Sequence, residues 1–463
     1  MMIETLALHN FKSWRDLDME LGKVTGLFGA NSSGKSSLLQ FLLMLKQTKN
    51  ATDLGLVVDL GGSNSLVNLG TFRDVVHRHD EDASIQWSIG WTLQRGLRIG
   101  GSFDARTWLG RPGDRVHLEC SIGLQRDVLS AHWLKYQVRE DNVSLEPLPG
   151  VPSQFQLVSG SPEFQFELNQ RFQDRDYDRP IPGPVKTHLF PGEVRIRYQN
   201  TVILSALANQ YERMIDGIYY LGPLREYPQR VYVWGGASPE DVGQRGERIM
   251  DAILAATARG GSQFRVDDVG TIRSLQEVVA YWLKELRLIE SFVIREIAPG
   301  TNLYQALVKR DQSSAEVLLT DVGFGVSQVL PVVVLLAYVP EGSTVLLEQP
   351  EIHLHPSVQS GLADYILWAA RRRNVQVIVE SHSEHMLRRF QRRVAEEAAS
   401  SQDVKLYFAS MEGGEARLRD LELNQWGEIQ NWPDNFFGDE LGELSAIARN
   451  SLQRKLGNRD GDT

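Results

Sequence analysis

Gly29-Ala30-Asn31-Ser32-Ser33-Gly34-Lys35-Ser36 decides how this chain folds. The run matches GxxxxGK[ST]. It stands between an apolar stretch, Val24 to Phe28, and an apolar helical stretch, Ser36 to Lys46. In a strand, glycine-rich loop, helix setting, successive backbone N–H groups turn inward around phosphate oxygens, and the helix points its positive end at them. There the Lys35 ammonium is expected to reach the β- and γ-phosphates of a nucleotide, and the Ser36 hydroxyl to ligate Mg²⁺. The expected cradle comprises Asn31, Ser32, Ser33, Gly34, Lys35, Ser36 and Ser37, with ATP and Mg²⁺ as the ligands.

Further along, Thr344-Val345-Leu346-Leu347-Glu348-Gln349-Pro350-Glu351 is an apolar strand ending in a carboxylate. Paired with a P-loop it reads as a Walker B element, which predicts Glu348 beside the loop, holding Mg²⁺ through water. A second apolar run, Val377-Ile378-Val379-Glu380-Ser381-His382-Ser383, ends at a histidine. A lone histidine is usually a packed or surface imidazole; its place one strand-helix unit after Glu348 favours a role at the nucleotide. Asp321-Val322-Gly323-Phe324-Gly325-Val326-Ser327-Gln328 opens an apolar helix starting near Val326. Read locally, this is a glycine-rich helix start.

The remaining chain bounds the answer. Its 463 residues, 42% hydrophobic, are enough for two or three lobes. A formal charge of −10 argues against a globally basic nucleic-acid binder. The single cysteine, Cys120, can neither staple a fold nor hold zinc, and reads as a small strand residue in a reducing cytosol. The longest apolar run, Val329 to Val339, is too short for a membrane span, and the chain opens with strand-like alternation rather than a signal peptide. A cytoplasmic protein with no membrane partner is expected. Short alternating runs recur from Ser84 to Tyr198, including Val194 to Tyr198, and predict antiparallel sheet. Helices are expected at Val202 to Asp216, Gln244 to Thr257 and Ile272 to Leu286. The organisation read from this is an ATPase start over 1–83 and a β-rich region over 84–200, part ATPase sheet and part insertion. The second ATPase part follows over 201–410, with a C-terminal extension over 411–463.

At these elements the chain resembles the ABC-type ATPases of the SMC-head, RecF and OLD-like group. The opening Asn10-Phe11-Lys12-Ser13-Trp14 looks like the start of that group, and Pro350-Glu351-Ile352-His353-Leu354-His355-Pro356 is similar to its OLD-like branch. Three further runs resemble a sub-family of stand-alone bacterial ATPases: Leu69 to Asp74, Tyr220-Leu221-Gly222-Pro223-Leu224-Arg225, and Asn431 to Phe437. The resemblance implies an α/β P-loop ABC ATPase head, a mixed sheet with flanking helices and an inserted antiparallel β-rich region. It adds Lys12 to the nucleotide set and makes His382 a γ-phosphate sensor. The Gly323 to Gln328 run becomes a signature loop in which Gly323, Gly325, Ser327 and Gln328 close on the nucleotide of a second copy. A head-to-tail, ATP-stabilised homodimer follows. Members of the group commonly work with a separate effector protein in genome maintenance or antiviral defence.

One departure matters. Many such ATPases carry a second acid after the Walker B carboxylate as general base; here that residue is Gln349. An amide cannot take the proton, though it can orient water. Either Glu351 acts instead, with His382, or hydrolysis is slow and the ATP-bound dimer long-lived. The alternative function is a self-sufficient, nuclease-like ATPase acting on DNA. Only about eighty residues follow Ser381, which favours regulation of a partner. Arg371 to Arg373 and Arg388-Arg389 with Arg392-Arg393 read first as solvated helix faces, and second as a DNA contact. Trp426, Trp432, Phe436 and Phe437 read as a tail packing back onto the core.

Overall fold

The P-loop strand lies inside a parallel sheet because both of its faces are covered. The computed structural model describes residues 1–63, 65–98, 108–160, 166–169, 180–258, 264–265 and 272–433. The chain begins with β1 (Ile3–Phe11), β2 (Trp14–Glu20), β3 (Val24–Gly29) and α1 (Lys35–Asn50). Strands β4 (Ile85–Thr92), β5 (Arg115–Gln125), β6 (Val128–Val138), β7 (Asp141–Leu148) and β8 (Val151–Ser159) follow. Next come α2 (Val202–Asp216), β9 (Ile218–Leu221), α3 (Ile249–Ala258), α4 (Leu275–Glu285), β10 (Ser291–Glu296) and β11 (Leu303–Lys309). Then α5 (Phe324–Tyr338), β12 (Thr344–Glu348), α6 (Pro356–Arg372), β13 (Gln376–Glu380), α7 (Glu384–Ala395), β14 (Val404–Glu412) and β15 (Glu415–Asp420) complete the described part.

Two sheets organise the molecule. The first is antiparallel, in the order β8-β7-β6-β5-β4-β1-β2. The β-rich region is therefore continuous with the N-terminal hairpin in one sheet. Cys120 is buried in β5. The second sheet runs β9-β12-β13-β3-β14-β15 and is parallel except for its last pair. Its central strands are largely apolar, as burial on both faces requires, with most of their polar residues at the strand ends. Leu27, Leu346 and Ile378 face the core shared with α1, α2 and the antiparallel sheet. Phe28, Val345, Leu347, Val377 and Val379 face the opposite core, built from α3 to α7. The layers are thus sheet, helices, sheet, helices.

One buried amide joins the two sheets. Gln376, at the start of β13, accepts from the Ile3 N–H at 3.0 Å and the Thr344 hydroxyl at 2.8 Å. It donates to the Ile3 and Gly22 carbonyls at 2.7 and 3.0 Å. All four of its bonding positions are used, so a polar group that burial would otherwise penalise becomes a specific clasp.

Several local expectations are corrected. Val194 to Tyr198 is not a strand: Gly192–Arg197 forms a short helix. Pro191 sits at its N-cap, Glu193 in its first turn and arginines in its last, an arrangement that suits a helix dipole. Only Val194 of the alternating pair is buried, whereas Ile196 is 61% exposed. The helix expected from Gln244 begins at Ile249, after Gly243 and Gly246 adopt positive φ. The helix expected from Ile272 begins at Leu275, where Ser274 and Glu277 form a capping box. The boundary expected at 410 falls inside β14, which pairs with β3 and completes the sheet around the P-loop. Of the alternating runs expected between Ser84 and Tyr198, the stretch Phe164 to Leu168 lies partly outside the described residues; Leu168 bridges Tyr198.

Candidate functional site

The site forms at the C-terminal edge of the parallel sheet, where open α/β sheets bind ligands. The P-loop leaves β3 at Gly29, whose φ of 138° and approach to the Ala409 carbonyl leave no room for a Cβ. It enters α1 through Gly34 at φ 89°. The hairpin Ser13-Trp14 clamps that turn: Trp14 Nε1 donates to the Gly34 carbonyl at 3.1 Å and to Ser37 Oγ at 3.0 Å. Asn31 and Ser32 are exposed at the loop's tip, whereas Ser33 is buried and donates to the Ala30 carbonyl at 2.8 Å.

Lys35 is buried, and its ammonium donates to the carbonyls of Gly29 (3.1 Å) and Ala30 (2.6 Å) and to Ser33 Oγ (3.2 Å). Burial lowers its pKa, opposed by the charges of Glu380 and Glu351. Lys12, expected with the nucleotide set, gives its ammonium to Gln40 Oε1 at 2.6 Å, further along α1.

The strand order corrects one expectation. Glu348 is not on the strand beside the P-loop; β13 lies between β12 and β3. Glu380, the last residue of β13, therefore stands closer to the loop and accepts from Ser36 Oγ at 2.9 Å. Glu348 pairs with it in register one strand further out, and accepts from the Tyr220 hydroxyl at 2.8 Å. Glu380 was missed by the sequence reading. Its signal was an acid ending an apolar strand, the same signal used for Glu348.

Charge crowding at this edge is visible in the titration behaviour. Burial pushes the Glu348 carboxyl up to about 7, helped by Glu380 and opposed by the Tyr220 hydrogen bond and the Arg225 charge. Burial also raises Glu380 and Glu351. Glu351 Oε1 accepts from the His382 backbone N–H at 2.7 Å, so this acid holds the turn after β13 in place. The Oε2 atoms of Glu351 and Glu380 are buried and make no hydrogen bond of good geometry, although the Ser381 and Gln349 side chains lie near enough to oppose part of the burial effect on the two carboxyls.

Gln349 and His382 close the group. Gln349 adopts a left-handed backbone at φ 42°, a conformation that costs a non-glycine residue free energy. Its N–H donates to the Glu380 carbonyl at 2.8 Å, and its side-chain amide lies 3.5 Å from His382 Nε2. Burial and then the Lys35 charge lower the His382 pKa, while a bond to the Gly29 backbone opposes them. Lys35, Ser36, Glu348, Gln349, Glu351, Glu380 and His382 thus share one edge.

The oxygen-rich donor set suits a hard divalent cation held mainly by substrate phosphates. The orphan Glu380 Oε2, together with Ser36 Oγ and the Glu348 carboxylate in register with Glu380, fits Mg²⁺ in that role. Among the described residues no group of three or more His, Cys, Asp or Glu forms a metal cage of its own.

The glycine-rich helix start lies elsewhere. Gly323 caps α5 and is exposed, with open space where a Cβ would stand. Ser327 and Gln328 are buried in the first turns of α5 rather than displayed. A cleft of 610 Å³ beside Gly323 and Gly325 is lined by Arg310, Ser314 and Asp321, with no P-loop residue.

The basic clusters are largely bonded within the chain. Arg389 and Arg393 share Asp364 at 2.7–2.9 Å, Arg392 pairs with Glu396 and Arg388 with Glu384. Trp432 packs on the core under Arg388, Trp426 is exposed, and Phe436 and Phe437 lie outside the described residues. Among the described residues no helix is long and apolar enough to cross a membrane.

The AAA ATPase domain family matches residues 1–90 and 270–387, the segments that carry the P-loop and the Glu348, His382 and Gly323 runs. Residues 400–447 match a family described as a protein of unknown function (DUF3696). Among solved structures, the chain is similar to an SMC head bound to the C-terminal winged-helix domain of ScpA. Identity is 14%, coverage 91% of this chain and 99% of that one, and the TM-score 0.44. An SMC head domain from Thermotoga maritima is 12% identical, with 91% and 100% coverage and a TM-score of 0.41. No curated protein matches the chain. Fold and site define a P-loop ATPase head of mixed α/β type. Over those matched segments, somewhat under half of its length, the chain is similar to AAA ATPase domains.

Proposed function

We propose that this protein is a nucleotide-operated switch. It binds ATP with Mg²⁺ at the P-loop, pairs head to tail with a second copy, and so gates a separate effector in genome maintenance or antiviral defence. The observation that carries the reading is the meeting of Lys35, Ser36, Glu380, Gln349 and His382 at one sheet edge. Lys35 and the loop N–H groups from Asn31 to Ser37 hold the phosphates. Ser36, Glu380 and Glu348 are the oxygen donors that would hold Mg²⁺, which when bound supplies neutralising charge at the phosphates.

Turnover in this reading is slow. Gln349 can orient water but cannot accept its proton, and Glu351 spends one oxygen on the His382 turn. A slow ATPase keeps its ATP-bound pair closed for long periods, as a gate requires. The reading in which the chain itself processes DNA has less behind it. The arginines of α7 are each paired with Asp364, Glu384 or Glu396 within the chain, which leaves a small net positive charge.

The dimer is testable at the α5 cap. Ser327→Arg would bury a charge and disturb the fold. Gly323→Asp is the cleaner variant: Asp is a favoured N-cap, space is open, and its carboxylate would repel a phosphate brought by the second copy. Chromatography with ATP should show wild type shifting to a dimer and Gly323→Asp remaining a monomer with ATP affinity intact. A variant that dimerises like wild type would remove this helix start from the interface.

A further inference from the structure

Arg225 has no partner that explains its burial. It follows β9 at the same sheet edge, in the run Tyr220 to Arg225, and β9 pairs with β12 so that Leu221 is opposite Leu347. The loop is pinned on both sides of Arg225: Gly222 N–H donates to the Gln244 carbonyl at 2.8 Å and Glu226 N–H to the Arg245 carbonyl at 2.9 Å. The side chain is only 7% exposed, yet its Nε and Nη1 are buried without a hydrogen-bond partner. Among the described residues it makes no ion pair, although its charge is felt by Tyr220, Glu348 and Glu351.

An unpaired buried guanidinium is expensive, so its presence calls for an explanation, and a ligand that completes it is one. The nearby acids are committed: Glu348 Oε2 takes the Tyr220 hydroxyl and Glu351 Oε1 the His382 N–H. Orphan cationic nitrogens and orphan carboxylate oxygens therefore coexist at one edge without pairing. A ligand bearing both an anion and a cation satisfies both sets. The sheet order gives direction. Moving from β3 outward, the edge presents Lys35, then Glu380 and His382, then Glu348 and Gln349, then Arg225. Arg225 thus stands at the end of this row furthest from the loop, within reach of the charges of Glu348 and Glu351.

We propose that Arg225 binds the terminal phosphate of ATP from within the same chain, and so makes the site distinguish ATP from ADP. The inference rests on the nucleotide reading above. The guanidinium fork makes paired charge-assisted bonds to phosphate oxygens and supplies the positive charge that such sites otherwise recruit from a second protein.

The test measures ATP and ADP affinity, with Mg²⁺, for wild type, Arg225→Met, Arg225→Lys and Lys35→Ala, together with the melting temperature of each without nucleotide. Arg225→Met should weaken ATP binding by about tenfold or more and ADP binding by no more than about twofold. Its unliganded melting temperature should not fall, because a buried unpaired charge is removed. Arg225→Lys should fall between, keeping charge without the fork. An unchanged ATP-to-ADP ratio in both variants, or equal losses for the two nucleotides, would overturn the proposal. A lower melting temperature with that ratio intact would make Arg225 a structural counter-charge for Glu348 and Glu351. If wild type and Lys35→Ala bind ATP equally, or neither binds it, the nucleotide reading itself fails. If only the Arg225 variants behave as wild type, this inference alone fails.

Discussion

Glu348→Gln should make the unliganded protein more stable while impairing its use of Mg²⁺ and ATP. Burial pushes the Glu348 carboxyl from 4.5 up to about 7. That difference corresponds to roughly 3 kcal/mol at about 1.4 kcal/mol per unit. A carboxyl raised in the folded state makes the folded chain bind more protons than the unfolded chain between those two values. Stability therefore falls as pH rises through that window, and the full cost is present above it. Glutamine keeps the volume, never ionises, and can still accept the Tyr220 hydroxyl through its carbonyl oxygen. The variant should gain roughly 2–3 kcal/mol near pH 8 but no more than about 1 kcal/mol near pH 5. For a chain this long, about 1 kcal/mol moves the melting temperature by about 1 °C, so the expected gain near pH 8 is about 2–3 °C. Thermal melts at the two pH values measure it, and the rise in melting temperature on adding Mg²⁺ and ATP should shrink in the same variant. A variant less stable than wild type near pH 8, or equally stabilised at both pH values, would refute the account of Glu348 as a carboxylate kept at a cost for its ligand.

Gln349→Glu should raise steady-state ATP hydrolysis by about tenfold or more, since it restores an acid where a general base stands in related sites; a phosphate-release assay showing no increase would place the limiting step elsewhere. Lys35→Ala should abolish the ATP-dependent rise in melting temperature, and retention of that rise would remove the P-loop from binding. Gln376→Leu should destabilise the protein by roughly 3 kcal/mol or more, because Ile3 N–H, Ile3 C=O and Gly22 C=O would lose their partner in the core. Denaturant unfolding would show it, and a change under about 1 kcal/mol would mean that the amide does not join the sheets.

Local signals carried much of the fold. The P-loop strand and the two apolar strands were legible because a strand buried on both faces reads as a near-continuous apolar run. Val202–Asp216 was legible from its helical period over its full length. The misread segments lack that advantage. Val194 to Arg197 alternates like a strand, but is too short for periodicity to outweigh a proline start and a helix-favouring charge order. Strands β14 and β15 are mixed in polarity, and their place was set by an open flank of β3 far away in the chain.

The chemistry divides the same way. Positions that depend on immediate neighbours could be read from the chain: Lys35 and Ser36 at the loop's entry into its helix, and Glu348 at the end of its strand. Residues whose roles depend on which strand lies beside which could not. Glu380, rather than Glu348, meets Ser36 because β13 is inserted between β12 and β3. Arg225 shares their edge because β9 pairs with β12 across more than a hundred residues of chain. Strand order arises from long-range packing of whole apolar faces, and no short window of sequence contains it.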